Sequence, residues 1–211
     1  MKLPHVVWDM GGILYRYFTE VMRDRGTERG WPIDHIPLGP TGDLPDADYE
    51  RMQKGEIDEA DYLALVMARL RAVGIDDDPT RTIDWPHQER LATWDAIRTI
   101  HSGGHRQAVL TNDASKWLGP NWWETWKPAG WFEAMVDVTS IGERKPAARP
   151  YLAAAEAFEA DAAECLFVDD IRVNCRGAEA VGMASFWFDV RAPGESIANL
   201  LATLGLAATD R

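Results

Sequence analysis

The sequence predicts an α/β fold: a parallel sheet with helices on both faces and a helical insertion after the first strand. Three observations predict it. Short apolar runs are each followed by a turn and a helical pattern. Polar residues able to do chemistry stand where those runs end. One long helical stretch separates the first run from the second.

The first run is His5 to Trp8, ending in Asp9-Met10-Gly11-Gly12. The chain then reads as helical from about Tyr15 to about Arg90, with turns at Pro37–Pro45 and Gly74–Pro79. Within it, apolar residues from Tyr49 to Leu70 suit two helices broken near Gly55, with Asp58 as an N-cap. The second run, Gln107 to Leu110, ends in Thr111-Asn112-Asp113. The interval from Asn112 to Lys145, about 33 positions, has room for a helix and the weaker run Met135 to Val138. The fourth run, Cys165 to Val168, ends in Asp169-Asp170, and a fifth, Ala184 to Phe188, follows Gly182. Residues 1–14 and 91–211 are therefore expected to form the core domain, and 15–90 a small helical lid.

Composition narrows the function. Of 211 residues, 46% are hydrophobic and 27% charged, which suits one ordinary domain rather than a disordered chain. Lys plus Arg total 22 against 34 Asp plus Glu, a net charge of −12 that repels nucleic-acid backbones. An anionic substrate would need positive charge concentrated locally, and Lys145 with Arg144 are the candidates. Cys165 and Cys175 have no metal-ligand spacing around them and read as buried thiols in a reducing compartment. The first residues fit neither a signal peptide nor a membrane span, so a soluble, cytoplasmic protein is expected, with no membrane or nucleic-acid partner. Oligomeric state is not legible.

In an open parallel sheet, ligands bind at the carboxyl edge of the strands. Asp9, Thr111 and Asp169-Asp170 can therefore meet in one crevice although about 160 positions separate the first from the last. A lone Asp at a strand end is usually a turn residue or a helix cap; the other strand ends alter that reading. Thr111-Asn112 offers a hydroxyl and main-chain N–H groups to phosphate oxygens. Gly142-Glu143-Arg144-Lys145-Pro146 sets a Lys before a Pro suited to the first turn of a helix. The adjacent carboxylates of Asp169 and Asp170, with Asn174 four further on, repel one another unless a cation or donors compensate. A hard divalent ion with oxygen ligands would do so.

In this order, the four strings resemble the four motifs of the haloacid dehalogenase-like hydrolases, over essentially the whole chain and including the insertion after the first strand. The resemblance implies a Rossmann-like parallel sheet core with a small helical cap. It also implies a Mg²⁺-dependent phosphatase acting on a small-molecule phosphate ester. Asp9 would attack phosphorus and form an aspartyl-phosphate that water hydrolyses. Mg²⁺ would be held by the Asp9 carboxylate, the Gly11 carbonyl and the Asp170 carboxylate, with Asp169 beside it or bound through water. Thr111 and the Asn112 N–H would bind phosphoryl oxygens, and Lys145 would neutralise the charge that builds up.

Gly11 departs from that pattern. Most phosphatases of the superfamily carry a second Asp there as general acid–base, help worth about 10²–10⁴-fold. A Gly variant occurs in a branch that includes sugar-phosphate phosphatases. Gln53 to Ile57, Gly142 to Pro146 and Asp169 to Asn174 resemble that branch and the N-terminal phosphatase domain of soluble epoxide hydrolase, so a sugar phosphate is the favoured substrate. Five of the ten tryptophans, Trp117, Trp122, Trp123, Trp126 and Trp131, follow the second motif. They suit a helix packed on the core, or an aromatic wall beside the site. Tyr15, Arg16 and Tyr17 could touch substrate or pack the hinge. Two other functions compete: a catalytically silent binding protein that keeps the site, for which Gly11 speaks, and a metal-independent 2-haloacid dehalogenase, against which the acidic pair speaks.

Overall fold

The computed structural model describes residues 4–42, 44–77, 82–112, 114–119 and 130–206. Five strands form one parallel sheet: β1 (His5–Trp8), β2 (Gln107–Thr111), β3 (Ala134–Asp137), β4 (Cys165–Asp169) and β5 (Ala184–Trp187). Their order across the sheet is β3-β2-β1-β4-β5, with every adjacent pair parallel. The strand that Asp9 follows is thus central, and its neighbours carry Thr111 and Asp169.

The strands run as continuous apolar stretches because both faces are covered. Successive side chains point to opposite faces, so Val6 and Trp8 enter one core cluster and Val7 the other. On the first face lie α4 (Leu91–Ser102) and α8 (Pro193–Thr203), contributing Ile97, Ile100, Leu200 and Leu201. Past β2 comes the short α5 (Ala114–Leu118), and on the second face lie α6 (Ala148–Glu156) and α7 (Arg172–Ala180), contributing Tyr151, Ala154 and Ala178. Gln107 is polar yet fully buried, because its side chain accepts from Trp8 Nε1 at 2.9 Å and donates to the Ile97 carbonyl at 3.0 Å.

Strand limits differ slightly from those read in the sequence. Thr111 and Asp169 are the last residues of their strands rather than the first beyond them. The third strand ends at Asp137, whose side chain accepts from the Thr139 N–H and starts a 3₁₀ turn through Val138. The fifth ends at Trp187. Pro146 precedes α6 by two residues instead of opening it.

The insertion contains α1 (Phe18–Arg29), α2 (Ala47–Lys54) and α3 (Glu59–Ala72), with 3₁₀ turns at Ile33–His35, Gly39–Thr41 and Trp85–His87. As the sequence predicts, α2 stops at Gly55 (φ 83°) and α3 is capped by Asp58, whose carboxylate accepts from the Asp61 N–H at 2.7 Å. These helices bury Met22, Leu38, Met52, Tyr62, Val66 and Leu70 around a cluster of their own. The chain leaves the core at Tyr15 and returns at Glu89, and the two residues form an antiparallel bridge. No helix of the described residues is long and apolar enough to cross a membrane. Both cysteines are buried and free.

Candidate active site

At the carboxyl edge of the sheet, ligand atoms of Asp9, Asp169 and Asp170 lie within 4.8 Å of one another. Asp9 follows β1 with its N–H bonded to the Val168 carbonyl at 2.9 Å, which locks the first carboxylate beside β4. Lys145 Nζ, almost wholly buried, donates to Asp9 Oδ1 at 2.5 Å, Asp169 Oδ2 at 3.0 Å and the Leu110 carbonyl at 3.2 Å. Asn112 holds the Lys145 main chain: its Oδ1 accepts from the Lys145 N–H at 3.0 Å and its Nδ2 donates to the Lys145 carbonyl at 3.3 Å. The side chain of Asn112 is spent on that task, leaving its main-chain N–H as the part that the sequence reading assigns to phosphate.

Asp169 is satisfied within the protein. It accepts from the Ile171 N–H at 2.7 Å and from Asn174 Nδ2 at 3.1 and 3.3 Å, besides Lys145. Asp170 is not: both carboxylate oxygens are buried and have no hydrogen-bond partner. Buried unpaired carboxylate is costly enough that it calls for a ligand. Three carboxylates against one ammonium also leave two negative charges, the charge that one divalent ion cancels. The residues present therefore fit a hard divalent cation.

Electrostatics agree with the geometry. Burial pushes the Asp9 carboxyl up to about 7, with Lys145 opposing and Asp169 adding to the rise. Burial likewise holds Asp170 well above the ordinary carboxylate range, and the charges of Asp169, Asp9 and Glu59 add to it. Burial works against the Lys145 ammonium, but Asp169 and Asp9 outweigh it and keep Lys145 protonated. Burial and Asp169 keep the Cys175 thiol protonated, and its Sγ lies 3.6 Å from the Asp169 carbonyl.

Thr111 Oγ1 accepts from the Ala114 N–H at 3.2 Å, which leaves its hydroxyl proton to donate elsewhere. A cavity of about 70 Å³ opens beside Asp9, bounded by Gly11, Thr111, Asn112 and Lys145 on the core side. Tyr15, Arg16 and Tyr17 all line it, as does Glu59 from the start of α3. Of the tryptophans after the second motif, Trp131 packs against the core beside Trp94 (ring centroids 6.4 Å apart). Trp122, Trp123, Trp126 and the side chain of Trp117 lie outside the described residues. Arg144 is exposed and borders a neighbouring crevice.

A family model for haloacid dehalogenase-like hydrolases matches residues 3–182. The chain belongs to that family. No curated protein matches it. Among solved structures, an L-2-haloacid dehalogenase is similar at 16% identity and TM-score 0.52, covering 90% of this chain and 87% of its own. A haloacid dehalogenase-family phosphatase of Thermococcus onnurineus is similar at 17% and 0.51, covering 89% and 86%. A subfamily IA hydrolase of Geobacter sulfurreducens is similar at 20% and 0.50, covering 87% and 88%. Such likenesses extend the shared fold to both dehalogenases and phosphatases. Asn174, which the sequence sets four residues after the acidic pair, is the donor to Asp169; the sequence reading gave no role to Glu59, a lining carboxylate, or to Gln53, a contact of the acidic loop. Only contacts between distant segments reveal the places of Glu59 and Gln53.

Proposed function

We propose that this haloacid dehalogenase-like hydrolase is a Mg²⁺-dependent phosphatase of a small-molecule phosphate monoester, with Asp9 as nucleophile. One observation carries the reading: the buried, unpartnered carboxylate of Asp170 beside an Asp9 already held by Lys145. A dehalogenase acting on a carboxylate substrate would find that uncompensated charge repulsive, whereas a cation-dependent phosphatase uses it.

Asp9, the main-chain carbonyl of Gly11 and Asp170 would hold the ion, with Asp169 beside it. Bound there, the ion would supply positive charge to the phosphoryl group. Thr111 donates its hydroxyl proton, and Asn112 its main-chain N–H, to phosphoryl oxygens. Lys145 holds the Asp9 carboxylate in one orientation and offsets negative charge as the Asp9–phosphorus bond forms and the ester P–O bond breaks. The leaving oxygen takes a proton from water and departs as the alcohol, and a second water cleaves the aspartyl-phosphate, releasing inorganic phosphate and restoring Asp9. The helical insertion, residues 15–90, acts as the lid that lines the leaving-group side.

The test is phosphate release from a panel of monoesters by the wild type, by Asp9→Asn, and by the wild type with EDTA. Activity is expected in the first alone. Turnover in Asp9→Asn sinks the nucleophile assignment. Persistence in EDTA sinks the metal-dependent reading, and halide release from 2-haloacids in EDTA would establish the dehalogenase instead.

A further inference from the structure

In-line attack by Asp9 puts the ester oxygen on the side of the phosphoryl group away from the sheet edge, toward the insertion. Gly11 brings no side chain to the cavity that it lines, and a Cβ there would meet no atom within 4 Å. A donor to the ester oxygen must therefore come from elsewhere on the wall. Thr111 lies on the core side, at the end of β2. Other polar neighbours are occupied. Lys145 is shared by Asp9 and Asp169, Asn174 gives its Nδ2 to Asp169, and Arg16 donates to Asp24 at 2.6 Å.

Tyr17 differs from these. It is 3% exposed, lines the same cavity and is the N-cap of α1, where the insertion begins. Its hydroxyl donates to Met52 Sδ at 3.9 Å and has no oxygen or nitrogen partner among the described residues. A buried tyrosine hydroxyl ordinarily finds a better partner than a thioether sulfur, which is a weak acceptor. The ring itself is fixed. The Tyr17 N–H donates to Glu20 Oε1 at 3.0 Å, and the ring packs on Phe18 and Tyr49 with centroids 4.9 and 6.4 Å away. A donor held in place beforehand needs no reorganisation at the moment of reaction. A phenol is protonated at neutral pH, and burial raises Tyr17 further, so the group offers a hydrogen bond and not a charge.

We propose that Tyr17 is a catalytic residue: its hydroxyl rotates from Met52 Sδ to the ester oxygen of the substrate and donates a hydrogen bond to it. The inference rests on the phosphatase reading and deepens it. As the P–O bond breaks, its electron pair goes to the ester oxygen. Tyr17 keeps its own proton, and the departing oxygen takes one from water. Met52 gives up only a weak contact. Hydrogen bonds strengthen with charge on the acceptor, so the help is greatest where the leaving oxygen is most basic.

The experiment compares kcat/KM for benzyl phosphate, whose leaving alkoxide is strongly basic, with that for 4-nitrophenyl phosphate, whose phenolate needs little help. Wild type, Tyr17→Phe and Met52→Leu are assayed with Mg²⁺. Tyr17→Phe should lower the first by on the order of a hundredfold and the second by less than about tenfold. Met52→Leu removes the sulfur and should keep the wild-type ratio of the two esters. Equal losses for both esters in Tyr17→Phe, no loss at all, or a Met52→Leu protein that reproduces the change of ratio overturns the inference. Binding reads the same contact without turnover. In Asp9→Asn, calorimetry should show the added Tyr17→Phe weakening phenyl phosphate by about threefold or more. Benzylphosphonate, with a methylene in place of the ester oxygen, should bind as before. Equal effects on the two ligands overturn the contact. If the wild type hydrolyses no ester but the two ligands respond differently in this way, the phosphatase reading falls and the Tyr17 contact stands. If esters are hydrolysed and Tyr17→Phe treats both esters and both ligands alike, the reverse holds.

Discussion

Gln53 is the side chain that fastens the insertion to the acidic loop, and Gln53→Ala measures the strength of that joint. Its Oε1 accepts from the Arg172 N–H at 2.8 Å, and its Nε2 donates to the Asp170 carbonyl at 3.2 Å and to the Tyr49 hydroxyl at 2.8 Å. Truncation removes all three bonds. The Asp170 carbonyl keeps Trp187 Nε1 at 2.8 Å, while the buried Tyr49 hydroxyl and the Arg172 N–H lose the partner that Gln53 supplies. At about 1 kcal/mol net each, the three hydrogen bonds together are worth about 3 kcal/mol. For a chain of this length that lowers Tm by about 6–12 °C. Circular dichroism melting checks it, with Lys54→Ala, an exposed neighbour, as the control expected to stay within about 0.5 kcal/mol. Gln53→Met keeps most of the volume and none of the bonds, and should melt near the Ala variant. A Gln53→Met protein that melts with the wild type would show that packing, not hydrogen bonding, makes the joint.

Three further expectations concern the turn after Asp9 and the cap of α2. A Cβ added at Gly12 (φ 74°) would stand 2.8 Å from the Asp170 carboxyl, so Gly12→Ala should weaken Mg²⁺ binding on the order of tenfold or more by calorimetry; unchanged affinity would contradict the placement of Asp170. A Cβ at Gly11 meets no atom within 4 Å, so Gly11→Asp should fold with stability within about 0.5 kcal/mol of the wild type and change only the pH profile of turnover. A loss of folding there would be inconsistent with that open space. Burial would raise the Asp46 carboxyl, but bonds from Arg69, the Gly39 N–H and Tyr62 outweigh it and hold it below its ordinary 3.8. A depressed folded value means stability that is present above that ordinary value and lost as pH falls below it. Asp46→Asn should therefore flatten the acid limb of a Tm-versus-pH curve below about pH 4, and a limb as steep as the wild type's would refute the pairing.

The sheet was legible because its strands are buried on both faces and so read as unbroken apolar runs. The acidic pair was legible because two carboxylates at the end of such a run need compensation wherever they stand. Gly55 and Asp58 marked the break between α2 and α3 through local rules of helix ending and capping. Strand ends shifted by a residue because Thr111 and Asp169 complete the ladder before their side chains turn to the site, and alternation of polarity carries no signal for that. Which side chains of the insertion face the core was not legible. Gln53 and Glu59 lie on helices whose orientation is set by packing around Tyr62, Met52 and Ile171, a contact between segments over 100 positions apart. The tryptophan-rich stretch illustrates a different limit. Composition alone offers both a packing and a binding role, and Trp131 takes the packing one.

Ile171 explains why the two parts of the chain should respond to one ion together. Its N–H bonds to Asp169, its side chain joins the hydrophobic cluster of the insertion, and the peptide groups on either side of it are bonded to Gln53. A cation pinning Asp170 would therefore restrain the segment on which α2 docks, and an insertion well docked would hold Asp170 ready for the cation. Linkage requires both effects to have the same magnitude. Mg²⁺ alone should raise hydrogen-exchange protection in α2, around Tyr49 to Lys54, as well as in the loop at Asp169–Asp170. In Gln53→Ala the protection in α2 should no longer depend on Mg²⁺, and Mg²⁺ affinity should fall in proportion. Protection gained only in the core loop, with α2 indifferent to the ion in the wild type, would mean that the joint through Ile171 transmits nothing.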